Sequence, residues 1–347
     1  MKKMMTWIMI MVLITGMMLT GCTKSADTGT PDTAEGEEAV KVALVVAGGL
    51  GDRSFYDSSN EGIERAKAEL GIEARVFECR NDPSLFNDQL VQASQYASVV
   101  VVVGFEFYDV VQELALEFPE VNYIYVDNEI EGIDNLTTIS YKENEGSFLA
   151  GAMAAMLTQE NSIEGIQQSK VIGMVGGKDL PVIRNFKAGY EAGAAYIDPD
   201  VKVETIYAGD FEDPAKGKES ALALYSRGAD IVFQVAGKTG EGVFEAASEV
   251  GRFAIGVDSD QRYINPDVIV ASMIKGVGLS IFESIERIQN GSFEAGKVYH
   301  YGIDENGVSL GYGTQDMKEI VTEEMKTKLE EIKGKITSGE IVVPEGK

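Results

Sequence analysis

The sequence predicts an α/β protein of two doubly wound parallel-sheet lobes joined by a hinge, and three observations predict it. β-branched apolar runs alternate with helix-period segments from Lys41 onward, the pattern of parallel sheets covered by helices. One run, Val99 to Val103, is five valines in a row, which suits a strand buried on both faces. An apolar strand ending in Gly48-Gly49, followed by a polar loop and a helix, has a weaker counterpart around Gly176-Gly177, so two series of one topology follow each other. The length of 347 residues also exceeds what one core usually serves.

Taken in order, the first series has strands at 42–47, 74–77, 99–103, 123–126 and 136–140, with helices at 59–70, 84–96 and 108–118. The second helix carries its own start signal, Asp82 as N-cap with Pro83 in the first turn. A helix at 144–157, rich in Gly, Ala and Met, leads into the second series. There, strands are expected at 170–175, 201–207, 231–234 and 253–257. Between them lie a helix carrying Phe186, Gly189 and Ala192, one opened by Asp213-Pro214 and closed by Gly228, and one at 241–250. Late pieces follow: a strand at 268–274, a helix at 277–289, a short strand at 298–302, a turn at Asn306-Gly307 and a charged amphipathic helix at 317–336. Both lobes are complete before them, so these pieces are expected to return to the lobes by several crossovers. The expected division is 41–141 plus 275–303 for one lobe and 142–274 plus 304–347 for the other.

The amino terminus carries an address. Lys2 and Lys3 precede an apolar run at 4–19, too short for a membrane span, and Leu19-Thr20-Gly21-Cys22 follows. This resembles the lipobox of bacterial lipoproteins, in which the cysteine becomes the acylated first residue. Residues 1–21 are then a signal peptide, Cys22 the lipid site, and 22–40 a polar, disordered tether on the extracytoplasmic face of the cell membrane. Cys79 would be the one remaining thiol, so no internal disulfide is expected. The formal charge of -26 excludes nucleic acid and anionic lipid surfaces as partners of the folded part.

Catalytic and metal motifs lack parts. His300 is the single histidine, and neither a nearby carboxylate nor a Gly-x-Ser-x-Gly motif is expected to serve it. Gly237-Lys238-Thr239 has Val232 where a phosphate loop needs its first glycine. Asp258 and Asp260 begin like a calcium loop, but Arg262 stands at the third ligand position. Neither metal nor cofactor is expected.

What remains is a set of polar residues at strand ends: Asp52 and Ser54, Asp127, Asp258, and Lys275. In open parallel sheets that is where ligands bind. Carboxylates there accept paired bonds from vicinal hydroxyls, and an aromatic such as Phe55 offers a face to a planar ring, so a sugar joined to a base is the ligand these groups suit. Each aspartate alone is equally an N-cap or hinge residue, and Phe55 equally a side chain packing its helix on the strand.

Several ordered motifs then match one family. They are Gly51-Asp52-Arg53-Ser54-Phe55 with Glu61-Gly62; Gly146-Ser147-Phe148-Leu149-Ala150-Gly151; Val175-Gly176-Gly177; Gly209-Asp210-Phe211 with Asp213; Ala236-Gly237 with Thr239-Gly240; Gly256-Val257-Asp258-Ser259-Asp260-Gln261; and Ser272-Met273-Ile274-Lys275. Together they resemble the basic membrane protein family, substrate-binding lipoproteins of ABC importers of the purine nucleoside receptor kind. The resemblance implies a type I periplasmic-binding-protein fold and a nucleoside, a purine one, held between the lobes. It implies that Phe55 and Phe211 sandwich the base, that Asp258 and Lys275 stand together on the ribose, and that Asp127 and Gly237 are further pocket positions. It implies permease subunits as partners of a monomeric receptor that is not an enzyme. Two departures, Tyr56 where the family has Asn and Val46 where it has Asp, remove polar groups near the ligand. Tyr56 therefore joins Asp52 and Ser54 among the expected contacts. Two other readings stand beside this one: a receptor for a sugar or signalling metabolite, and an exported nucleoside-acting enzyme with Asp52 or Asp258 as general base.

Overall fold

The structure, a computed structural model, describes residues 39–346. The expected signal peptide, the expected lipid site Cys22 and the expected tether up to residue 38 lie outside them. The first series forms β1 (Lys41–Val46), α1 (Phe55–Leu70), β2 (Glu73–Glu78), α2 (Pro83–Tyr96), β3 (Val99–Val103), α3 (Tyr108–Glu117), β4 (Asn122–Val126) and β5 (Leu136–Tyr141). The second forms α4 (Glu143–Leu157), β6 (Val171–Gly176), α5 (Pro181–Ile197), β7 (Lys202–Tyr207), α6 (Pro214–Ser226), β8 (Ile231–Val235), α7 (Glu241–Val250), β9 (Phe253–Asp258) and β10 (Ile269–Lys275). The late elements are α8 (Val277–Gln289), β11 (Val298–Tyr301), β12 (Val308–Gly311) and α9 (Glu323–Thr337).

They make two sheets of six strands, ordered β11-β5-β4-β3-β1-β2 and β12-β10-β9-β8-β6-β7. All pairings are parallel except β12 against β10. The five valines of β3 show why a run without alternation is a parallel strand: Val100 and Val102 pack into one apolar layer, Val99, Val101 and Val103 into the layer on the opposite face. Strand order reverses beside β1 in one sheet and beside β6 in the other, and a crevice opens at the carboxyl ends of those strands.

The chain passes between the sheets three times, after β5, after β10 and after β11. Two of these passages are stitched together, Gly276 N–H donating to the Gly307 carbonyl at 2.7 Å and Gly307 N–H to Gly302 at 2.8 Å. No helix among the described residues is long and apolar enough to cross a membrane.

Three local expectations change. Helix α1 starts at Phe55, four residues before the expected start, because the upstream Asp52 carboxylate accepts the N–H groups of Ser54, Tyr56 and Asp57 and caps the first turn. Helix α9 starts at Glu323 rather than 317, with Thr322 as its cap. The residues before it wrap the buried guanidinium of Arg262, which donates to the carbonyls of Pro266, Ile269, Tyr312 and Lys318. Strand β12 was not expected at all.

Helices α4 and α5 cross at glycine contacts. A Cβ at Gly193 would come within 1.9 Å of the Phe148 carbonyl oxygen, whereas one at Gly334, exposed in α9, would meet nothing within 4 Å. Gly193→Ala is therefore expected to destabilise by roughly 1–3 kcal/mol through overpacking. Gly334→Ala should stabilise by roughly 0.5–1 kcal/mol, since alanine loses less backbone entropy in a helix. Thermal denaturation of both variants checks this; equal shifts of one sign would show that the crossing yields and that contact does not set the cost.

Candidate ligand-binding site

A cleft of about 750 Å³ opens between the carboxyl ends of the two sheets. Of the expected contacts, Asp52, Phe55, Tyr56, Asp127, Phe211, Gly237, Asp258 and Lys275 line it. Ser54 does not. It lies behind the wall, fully buried, and its hydroxyl donates to Asp258 Oδ2 across the two lobes.

The two strand-end aspartates have one conformation. Asp127 after β4 has φ 64° and Asp258 at the end of β9 has φ 65°. That left-handed turn is one that Asp tolerates better than most residues. Asp52 plays a further part: its oxygens hold three backbone N–H groups of the α1 cap, which takes up most of its acceptor capacity. Burial nevertheless raises its pKa, against the pull of those three donors.

Lys275, the last residue of β10, is only 2% exposed. Its ammonium donates to Asp127 Oδ2 at 2.6 Å and stands 2.5 Å from Oδ1 and 3.0 Å from Glu143 Oε1. Its direct contacts are thus with Asp127 and Glu143, the latter a first-turn residue of α4 that sequence reasoning passed over, while Asp258 is reached through charge alone. Burial opposes the lysine's charge, but Asp127, Glu143 and Asp258 outweigh it and its pKa is raised. Burial likewise pushes Asp258 up to about 6, partly offset by Lys275 and Ser54.

The rings sort into two groups, each around one lysine. Lys275 Nζ lies 5.3 Å from the Phe55 centroid, 5.6 Å from Phe186 and 4.8 Å from Tyr141. Lys178 Nζ lies 5.4 Å from Phe105 and 5.7 Å from Phe211. Phe55 and Phe211 therefore belong to different groups, and Phe105 and Phe186 are lining rings that sequence reasoning missed. Gly177 makes room for Phe211, since a Cβ there would lie 2.1 Å from its ring. Gly48 does the same for Tyr56, at 2.5 Å. The Tyr56 phenol is kept protonated by burial and by the charges of Glu106, Glu212 and Asp52. Gly237, φ 54°, sits against the Phe211 carbonyl in a short 3-10 turn whose Thr239 N–H donates to that same oxygen at 3.0 Å.

The loop after β1 also meets the second lobe at the rim. The Arg53 carbonyl accepts from Gln261 Nε2 at 2.8 Å and Ser259 Oγ at 3.2 Å, and its guanidinium stands 3.7 Å from Glu241. His300 is outside the cleft, exposed on β11. Contrary to expectation it has a carboxylate near in space: Nδ1 is 2.8 Å from Ser140 Oγ and 3.4 Å from Glu129. Ser140 gives its proton to Glu129 at 2.8 Å, so the hydroxyl is not poised on the imidazole as a nucleophile.

A pH prediction follows from Asp258. Its folded pKa, about 6, lies above the ordinary 3.8, so its contribution to stability is full below that ordinary value and is lost as pH rises through about 6. Asp258→Asn is neutral at every pH. The ligand-free variant should melt above the parent at about pH 7.5 and lose that advantage by about pH 4. A gap that does not change with pH would show that the carboxylate is adequately solvated.

Comparison with known proteins agrees with this geometry. Residues 39–347 match the family model described as Bmp, ABC transporter substrate-binding protein PnrA-like. Basic membrane protein A of Borreliella burgdorferi is 31% identical over 349 residues, covering 98% of this chain and 96% of the relative. The ABC transporter nucleoside-binding protein BmpA of Lactococcus lactis subsp. cremoris is 32% identical over 361 residues, covering 97% and 99%. Among solved structures, an ABC transporter solute-binding protein of Aeropyrum pernix superposes with a TM-score of 0.79 at 27% identity, covering 88% of this chain and 94% of its own. A transcriptional activator of the comK gene from Bacillus halodurans, with a TM-score of 0.71 at 20% identity, shares the fold alone. With the family model spanning all the described residues, and a cleft framed by two parallel-sheet lobes of the type I periplasmic-binding kind, this chain belongs to the PnrA-like family of ABC transporter substrate-binding proteins.

Proposed function

We propose that the protein is a lipid-anchored receptor that captures a nucleoside, a purine one, in this cleft and delivers it to the permease of an ABC importer. The observation that carries the reading is the content of one cleft: strand-end Asp258 beside a buried lysine cluster at one part, aromatic faces at both. Asp258 supplies acceptors for the vicinal hydroxyls of a ribose, and the rings supply faces for a base. The Lactococcus relative, named as nucleoside-binding, supports the same ligand class. The lobe division of the sequence analysis belongs to this reading, except that Lys275, given there to the first lobe, ends β10 of the second sheet. So does anchoring through Cys22 and action as a monomer. Binding without turnover is part of it too, since Asp52, one of the two residues considered as a base, is engaged as a helix cap.

The ligand test is calorimetry of ribonucleosides and their 2′,3′-dideoxy counterparts on the parent and on Asp258→Ala. Charge-assisted hydrogen bonds contribute about 1.5–3 kcal/mol each, so ribonucleoside affinity should fall more than about tenfold while dideoxynucleosides change little. Equal losses for both classes would sink the ribose assignment. Incubation with inosine should release no free base; release would favour the enzyme. The anchoring test is fractionation: Cys22→Ser should leave the membrane fraction in detergent-free buffer, and retention there would refute lipidation at that residue.

A further inference from the structure

One carboxylate of the cleft lacks a counterpart. Glu106, two residues beyond Gly104 at the carboxyl end of β3, lines the cavity, and its Oε2 is shielded from solvent with no hydrogen-bond partner among the described residues. Gly104 makes room for it: at φ 131° the glycine carries no side chain where a Cβ would come within 2.9 Å of that oxygen. Buried polar atoms are almost always paired, and a carboxylate oxygen costs more to leave unpaired than a neutral one.

The neighbouring acids are accounted for. Asp52 holds backbone amides, Asp127 and Glu143 share Lys275, and Asp258 accepts from Ser54. Asp210 is paired with Lys216 at 2.8 Å, and Glu212 has the Asn81 side chain as donor. Glu106 has its own backbone N–H and the longer-range charge of Lys178, the cation that also faces Phe105 and Phe211, and neither satisfies Oε2. It lines the same cleft as that pair of rings.

We propose that Glu106 is the specificity-determining acceptor of the cleft, reading a base edge with two adjacent N–H donors, which among the common purines is that of guanine. The inference rests on the nucleoside reading above. An ionised carboxylate only accepts, and its two oxygens match two parallel donors. Guanine offers N1–H beside its 2-amino group. Hypoxanthine offers N1–H alone. Adenine turns the N1 lone pair beside its 6-amino group toward the carboxylate, which leaves one oxygen facing another acceptor.

The test is calorimetry of guanosine, inosine and adenosine on the mature protein and on Glu106→Gln, with unliganded melting temperatures as the control for folding. The parent should bind guanosine at least about tenfold tighter than inosine, the worth of one charge-assisted hydrogen bond, and adenosine weaker still. In Glu106→Gln, which replaces one acceptor by a donor, guanosine's lead over inosine should collapse and adenosine should gain relative to both. A parent that binds the three equally, or a guanosine lead that survives in Glu106→Gln, overturns the role of Glu106 and leaves the nucleoside reading standing. If the parent binds none of the three, the nucleoside reading falls and this inference falls with it. The parent's own selectivity decides the matter even if the variant fails to fold.

Discussion

One buried ammonium organises the junction of the two lobes. Lys275 ends a strand of the second sheet, Asp127 follows a strand of the first, and Glu143 opens the helix that begins the second series. Ions this deep are costly to desolvate, and breaking a buried pair typically costs about 3–5 kcal/mol because the remaining charge is stranded. The cluster therefore constrains where the crossover segments run, and those segments carry the rest of the cleft with them. Asp258 lies in the same field: burial raises its pKa, and Lys275 holds it down by more than Asp127 pushes it up.

The lobes reuse one local solution. Each ends a strand beside its crevice with an aspartate in the left-handed conformation, and each places a ring against a glycine of the loop after its first strand, Tyr56 on Gly48 and Phe211 on Gly177. A side chain at either glycine would occupy the ring's place. The glycine pairs are thus seats for aromatic walls, which is a different role from the phosphate cradle that glycine-rich loops often form.

The fold was legible because burial writes itself into period and composition: the valines of β3 had to be a two-sided strand, and Asp82-Pro83 had to start a helix. Strand β12, four residues long and partly exposed, carries too little pattern to be seen. The start of α1 was misplaced because its cap comes from upstream Asp52, and because Phe55-Tyr56 does not look like a first turn. Of the site, the residues immediately after strands were found, and the same rule applied to β3 would have found Phe105 and Glu106. The partners of Lys275 were not readable. Asp127 is 148 residues away in sequence, and nothing local distinguishes Glu143 from any acid in a helix's first turn.

The contrast between Asp52 and Asp258 shows why two aspartates in equivalent-looking loops have different capacities. A carboxylate has about four acceptor sites. Asp52 gives three of them to amides fixed by the helix it caps, and those amides cannot leave while α1 is intact. Asp258 accepts one hydroxyl, from Ser54, a donor that fixes the carboxylate's orientation without filling it. The same burial that raises the pKa of Asp258 makes each further donor valuable, because every hydrogen bond to the ionised form replaces hydration that folding removed. In the proposed reading the ribose hydroxyls are those donors. Ligand binding then lowers the pKa of Asp258, and its affinity weakens as the solution is acidified through the range where that carboxyl takes up its proton.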